Sequence, residues 1–215
     1  MKTAALFLGG SYPSSKEFYN GRLSKADLVV AVDSGAEMLR CLGVYPHLLV
    51  GDMDSLSRSS YEWCVEHGSE TLLLPVEKDD TDTEIAIREL ERRGISEVEV
   101  FGATGKRPDH FIATIFSIYN ACNRLKILIS EENLQIGIIR GFSVFNVQIG
   151  ETWSFFPFGD NIPSVTLSGF KYPLLDHMLD YSKPLGVSNV TVEKEITVFC
   201  KGGTLLYFRW LKEFW

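Results

Sequence analysis

The pattern of apolar residues changes character near Lys126, and that change constrains the fold more than any single motif. Before it, the runs Ala4 to Leu8, Leu28 to Val32, Leu48 to Val50, Thr71 to Leu74 and Val98 to Phe101 are mostly separated by longer helix-like segments. Continuous apolar runs suit strands covered on both faces, and their alternation with helices points to a parallel α/β sheet. DDTDTEIAIRELERRG (79–94) shows the intervening helices. Ile85, Ile87 and Leu90 make an apolar stripe, Thr81 or Asp82 can cap the start, and Gly94 can close the end.

After Lys126 the runs ILIS, LQIGIIRG, FSVFNVQIG, TWSFFPFG, SVTLSGF, EITVFCKGG and TLLYFRW are short and broken by Gly, Pro and Asn. That texture is antiparallel β. Only Pro173 to Tyr181 in this half has room for a short helix. The expectation is an α/β + β chain of 215 residues. Residues 1–126 form a parallel-sheet domain, and residues 127–215 form a smaller antiparallel β-sandwich.

Charge and cysteine usage narrow the partners. A net charge of −7, without a Lys/Arg cluster, argues against a nucleic-acid or anionic-membrane surface, since both need a basic patch. Cys41, Cys64, Cys122 and Cys200 are far apart and lack zinc-site spacing, so they read as reduced thiols of a cytoplasmic protein. MKTAALFLGG fits a buried first strand better than a signal peptide, because it has no small-residue cleavage site. No run approaches the roughly 18 apolar residues of a membrane span.

Parallel sheets bind ligands beyond the carboxyl ends of their strands. Four polar clusters fall there: VDSGA with Asp33, VGDMDS with Asp52 and Asp54, EKDDTDTE with Asp79 and Asp82, and FGATGKRPDH. In extended backbone Asp52 and Asp54 share a face, and like charges at ~4 Å repel by about 4 kcal/mol at an effective dielectric near 20. Such a pair needs water or a cation. Taken alone, VGDMDSL is equally well a strand turning into a loop, and EKDDTDTE an acidic helix start. Together the acids make a negative pocket, offset only by Lys78, that suits the hard ion Mg²⁺. Gly102 and Gly105 allow close backbone approach, helix-start amides can receive phosphate oxygens, and Lys106 and Arg107 add positive charge. Pro108 and Asp109 suit the first turn of the helix that follows. The loop is not a Walker A motif, which ends in Gly-Lys-Ser/Thr. Acids for a divalent ion beside groups for phosphate indicate phosphoryl or pyrophosphoryl transfer from a nucleotide.

These motifs, in this order, resemble those of the thiamine pyrophosphokinase family: DSGA (33–36), GDMDS (51–55), KDDTDTE (78–84) and GATGKRPDH (102–110), with GFKYPL (169–174) and GVSN (186–189) similar to segments of the family's β-domain. The resemblance covers nearly the whole chain. It implies an N-terminal domain binding ATP and Mg²⁺, a β-domain helping to bind thiamine, and a homodimer with active sites at the subunit interface. The implied reaction moves pyrophosphate from ATP to the thiamine hydroxyl, giving thiamine diphosphate and AMP.

By that resemblance Asp52, Asp54 and Asp79 hold the metal, while Asp33, Ser34, Gly35, Lys78, Thr81, Gly102, Gly105, Lys106 and Asp109 bind ATP. Asp54, Asp79, Asp82 and Arg107 carry the chemistry, with Asp82 orienting or deprotonating the hydroxyl. Asp82, Ser188 and Asn189 contact thiamine, although GVSN alone is equally a turn before a strand. Trp153, Phe155 and Phe156 read as β-domain core rather than a cation cage. The chain departs from the family pattern at Lys106, where a second Gly is common, at His47, where Asp is frequent, and at Met53 for Phe. The rival readings are a pyrophosphokinase for another hydroxymethyl substrate such as a pterin, a non-catalytic sensor, and a metal-dependent phosphohydrolase.

Overall fold

Six strands of the first half pair in parallel, and their order explains which loops can meet. The structure is a computed structural model that describes residues 1–211. The chain divides into two compact units, Met1–Glu131 and Glu132–Trp215. In the first, β1 (Thr3–Phe7), β2 (Leu28–Val32), β3 (Leu48–Gly51), β4 (Glu70–Leu73), β5 (Glu97–Phe101) and β6 (Lys126–Glu131) stand in the order β6, β5, β1, β2, β3, β4. Five helices alternate with them: α1 (Lys16–Leu23), α2 (Gly35–Leu42), α3 (Arg58–Glu66), α4 (Asp82–Arg92) and α5 (Pro108–Ala121). From β1 the chain moves outward through β2, β3 and β4, then returns to β5 on the other side of β1. The direction of winding therefore reverses at β1, and open α/β sheets take their ligands in the crevice beyond the carboxyl ends of the strands at such a reversal.

The local signals act as their chemistry requires. Of the two cap candidates for α4, Thr81 does the work, its Oγ1 accepting from Glu84 N at 3.2 Å, and Ser57 accepts from Ser60 N at the start of α3. Phe7, Tyr19, Leu39, Leu49 and Phe101 pack in the buried core beneath the helices. His47, where the family pattern often has Asp, accepts the Val29 amide on Nδ1 at 2.9 Å and so ties the approach to β3 onto β2.

ILIS belongs to this unit rather than to the second. The expected boundary at 126/127 therefore moves to 131/132, because β6 adds to β5 in parallel, Val98 opposite Ile127 and Val100 opposite Ile129. A short apolar run does not disclose whether its partner will be parallel or antiparallel.

The second unit contains β7 (Leu134–Asn146), β8 (Thr152–Phe158), β9 (Ser164–Ser168), β10 (Leu174–Met178), β11 (Asn189–Val190) and β12 (Glu195–Trp210). The runs EITVFCKGG and TLLYFRW are one strand, β12, in which the register slips between Cys200 and Leu205. The Gly pair there makes an irregularity instead of a turn. β12 pairs with β7 on both sides of that slip, with β9 before it and with β8 after it. Pro173 to Tyr181 contains β10 in place of a helix. So short a segment gains little from helix nucleation, and the edge of β9 offers an antiparallel partner. Trp153 and Phe155 are buried and packed against Phe170 and Tyr207, as core residues.

Candidate active site

The loops after β2, β3 and β4 meet at the carboxyl edge of the sheet, and a lysine is shared between two of their carboxylates. Lys78 Nζ lies 3.0 Å from Asp82 Oδ1 and 3.6 Å from Asp52 Oδ2, with all three side chains largely buried. It also donates to the Pro75 carbonyl at 2.9 Å. Burial works against this ammonium, but Asp82 and Asp52 together push its pKa up. Asp52 Oδ1 accepts from Asp54 N at 3.1 Å, and that bond, followed by Lys78, holds the Asp52 carboxyl below its usual range.

Asp33 sits beneath this group at the end of β2, in the left-handed region at φ 45°. Its Oδ1 accepts from Met53 N at 3.2 Å. Burial, followed by the negative charge of Asp82 and, less strongly, of Asp52 and Asp54, pushes its carboxyl up to about 6 against the pull of the Met53 amide. Gly51 makes this packing possible, since a Cβ there would stand 1.7 Å from Asp33 Oδ1. The motif Gly-Asp-x-Asp thus needs its glycine to admit the acid of the preceding loop.

Asp54 and Asp79 are exposed, and no ion pair or hydrogen bond joins the Asp79 side chain to the cluster among the described residues. Nor do three acids among the described residues form a ready-made metal cage. Mg²⁺ needs only one or two carboxylates when phosphate oxygens and water complete its shell. Asp52 and Asp54, two oxygen-donor side chains on one loop, fit that requirement.

Across the crevice, the loop after β5 is bound to the loop after β1. Leu8 N donates to Phe101 O at 2.9 Å, Gly10 N to Gly102 O at 2.8 Å and Ser11 N to Thr104 O at 2.7 Å. Gly10 has to be glycine, because a Cβ would meet Gly102 O at 2.2 Å. Gly102, at φ 66°, leaves room for the Tyr12 ring. Gly105 lies over Ser11 in the same way, Ser34 faces Gly9, and Gly35 starts α2 in a buried position. Lys106 and Arg107 are exposed. Arg107 is paired with Asp109 at 2.6 Å, which keeps the Asp109 carboxyl low.

In the second unit, Asn189 is buried and its carboxamide is spent internally. Oδ1 accepts from Tyr172 N, and Nδ2 donates to Tyr172 O at 2.8 Å. It pins the GFKYPL segment to GVSN. Ser188 is exposed at φ 55°, its amide donating to Ser154 Oγ at 3.1 Å.

The model of the thiamin pyrophosphokinase catalytic domain matches residues 19–129, more than half of the chain. The chain belongs to the thiamin pyrophosphokinase family. The family's vitamin B1 binding domain matches residues 144–205. A thiamine pyrophosphokinase of Bacillus subtilis is 26% identical over 212 residues, covering 97% of this chain and 99% of that protein. Among solved structures, thiamine pyrophosphokinase from Bacillus subtilis superposes with a TM-score of 0.85 at 24% identity, covering 99% of this chain and 100% of its own. The enzyme from Candida albicans superposes with a TM-score of 0.86 at 16% identity, covering 98% and 89%.

Set against the thiamin pyrophosphokinase motifs, what the sequence missed is the loop after β1. Gly9, Gly10, Ser11 and Tyr12 line the crevice with the glycine-rich loop, yet they precede the matched span. The Gly-Gly pair directly after an apolar run was the available signal. Its meaning depends on β1 lying beside β5, which spacing along the chain does not express.

Proposed function

We propose that this thiamin pyrophosphokinase family member transfers pyrophosphate from ATP to the hydroxyl of thiamine, with Mg²⁺, and releases AMP. The observation that carries this reading is the pairing of Lys78 with Asp52 and Asp82 at the carboxyl edge of the sheet, with Asp33 and Asp54 bonded to the same Gly-Asp-x-Asp loop, within the span matched by the catalytic domain. The first unit acts as the nucleotide-binding domain. In the second, the two parts of β12 serve the two layers of a sandwich that carries Ser188 toward thiamine. We assign the working form to a homodimer in the cytoplasm.

Asp52 and Asp54, with Asp79 joining when ligand is present, are the residues that would hold Mg²⁺. When bound, the ion supplies neutralisation of the triphosphate's charge. Lys78 keeps Asp52 and Asp82 at a fixed separation while the site is open. Asp82, at the start of α4, orients the thiamine hydroxyl and accepts its proton as the oxygen bonds to the β-phosphorus. Arg107 leaves Asp109 to meet the charge growing on the transferred group, and Lys106 assists it. Asp33, Ser34 and Gly35 shape the nucleotide side of the crevice, and Thr81 holds the α4 start on which Asp82 stands. Gly102, Gly105 and Asp109 belong to the loop facing the phosphates. Asn189 fixes the turn that presents Ser188, and both residues belong to the segment that contacts thiamine. No observation favours a pterin acceptor.

The test is incubation of the purified protein with ATP, Mg²⁺ and thiamine, with the products separated. AMP and thiamine diphosphate should appear together and only when thiamine is present. ADP or free phosphate as the sole nucleotide-derived product, or release without thiamine, overturns the proposal.

A further inference from the structure

The last residue of β6, Glu131, is a buried carboxylate that none of the motifs contains and that lies just beyond the span of the catalytic-domain match. Its two oxygens are divided between the two loops that line the crevice. Oε2 accepts from Ser14 Oγ at 2.6 Å and from Tyr19 Oη at 2.6 Å, which ties it to the end of the loop after β1 and to α1. Oε1 accepts a longer bond, 3.4 Å, from the amide of Gly102, the first residue of the glycine-rich loop. Three donors converge on one acceptor-only group.

The surroundings fit that role. Tyr12, from the loop after β1, donates its hydroxyl to the Leu8 carbonyl and occupies the space that a side chain at residue 102 would take. Tyr12 packs edge-on against Tyr19, with ring centroids 5.6 Å apart, so the loop, the helix and the glycine share one aromatic support. Burial raises the Glu131 carboxyl, while Ser14, Tyr19 and Gly102 pull it back toward ionisation. The Tyr19 hydroxyl, raised by burial and then by Glu131, stays a donor.

We infer that Glu131 is a positioning residue for nucleotide binding: by spanning from Ser14 and Tyr19 to Gly102 it fixes the joined loops after β1 and β5 in the placement that receives the triphosphate. This rests on the nucleotide reading of the crevice proposed above. What matters is reach, and charge is secondary. A shorter side chain cannot serve both loops, whereas a neutral side chain of the same length still offers Gly102 an oxygen while the hydroxyls of Ser14 and Tyr19 rotate to suit it.

Glu131→Asp and Glu131→Gln separate the two. Binding of ATP with Mg²⁺ is measured by calorimetry without thiamine, and KM for each substrate and kcat are measured with both present. Glu131→Asp should weaken ATP binding and raise its KM about tenfold, leaving KM for thiamine within about twofold, whereas Glu131→Gln should stay within about threefold of wild type for ATP. Should Glu131→Asp fail to fold, Ser14→Ala provides the second reading, with ATP binding weaker by about threefold. Wild-type ATP affinity in whichever of Glu131→Asp or Ser14→Ala is measured overturns the inference, and so does a loss that strikes ATP and thiamine alike. A wild-type protein that binds no ATP with Mg²⁺ overturns the nucleotide reading itself, and is thereby told apart from a wild-type binder whose variants do not differ.

Discussion

The two sides of the crevice in the first unit are built on opposite plans. On the acidic side, side chains carry the arrangement: Lys78 bridges Asp52 and Asp82, and Asp33 packs into the space over Gly51. On the glycine side, backbone carries it. The loops after β1 and β5 are joined amide to carbonyl, and the cations Lys106 and Arg107 are exposed at the rim. The difference reflects what each must do before a ligand arrives. Crowded carboxylates repel and need an internal counter-charge to keep their places. A loop meant for phosphate needs close backbone approach and cations with freedom to move.

The largest effects should come from the groups that meet the transferring phosphates, one from each side. Asp54→Ala and Arg107→Ala should each lower turnover by about 10²-fold or more, a barrier change of roughly 3 kcal/mol, because transfer depends on electrostatic positioning. They should differ in their dependence on Mg²⁺. Asp54→Ala should need more of the ion for half-maximal rate, and Arg107→Ala should not. Initial rates across a Mg²⁺ series check this, and identical metal dependence would erase the contrast between the two sides.

Next comes Gly51→Ala. Its Cβ would strike the Asp33 carboxylate from a residue at φ 145°, so the cluster has to shift. A destabilisation of about 2 to 4 kcal/mol is expected in chemical denaturation, accompanied by lower turnover. A variant as stable as wild type would show that the acidic side is not held by packing.

The smallest effect tests the raised carboxyl of Asp33, which burial and then the neighbouring acids push up. The Asp33 carboxyl is raised in the fold to about 6 from an ordinary value of 3.8, so between those values the folded state binds more protons than the unfolded. Its contribution to stability is full below the unfolded value and is lost as pH rises through about 6. Asp33→Asn should therefore remove that loss, so that the melting temperature of the ligand-free variant rises relative to wild type between about pH 4 and pH 7, the span over which the folded and unfolded states differ in bound protons. Parallel melting curves across that range would show that the Asp33 carboxyl is not raised in the fold.

Much of the site was legible along the chain because its acids follow apolar runs at short, regular offsets. Asp33, Asp52 and Asp54 each sit just past a strand, and the period of the strand places them at the sheet's carboxyl edge. The structural part of Asn189 is not legible in the same way, because a carboxamide in a turn gives no sign along the chain that it will bond the backbone of Tyr172, 17 residues earlier. β12 was divided in two because Gly202 and Gly203 punctuate a bulge in the same letters that punctuate a turn.

The sequence by itself determined the alternation of strands and helices, the change to β-structure in the second half and the residues that carry charge at each loop, since these depend on local period and composition. Only the tertiary structure decided that β1 lies beside β5, that Lys78 stands between Asp52 and Asp82, and that Glu131 reaches both glycine loops. Those outcomes follow from strand order and long-range packing, which bring together residues 29 and 117 positions apart in Glu131's case, and no spacing along a chain encodes a distance across a sheet.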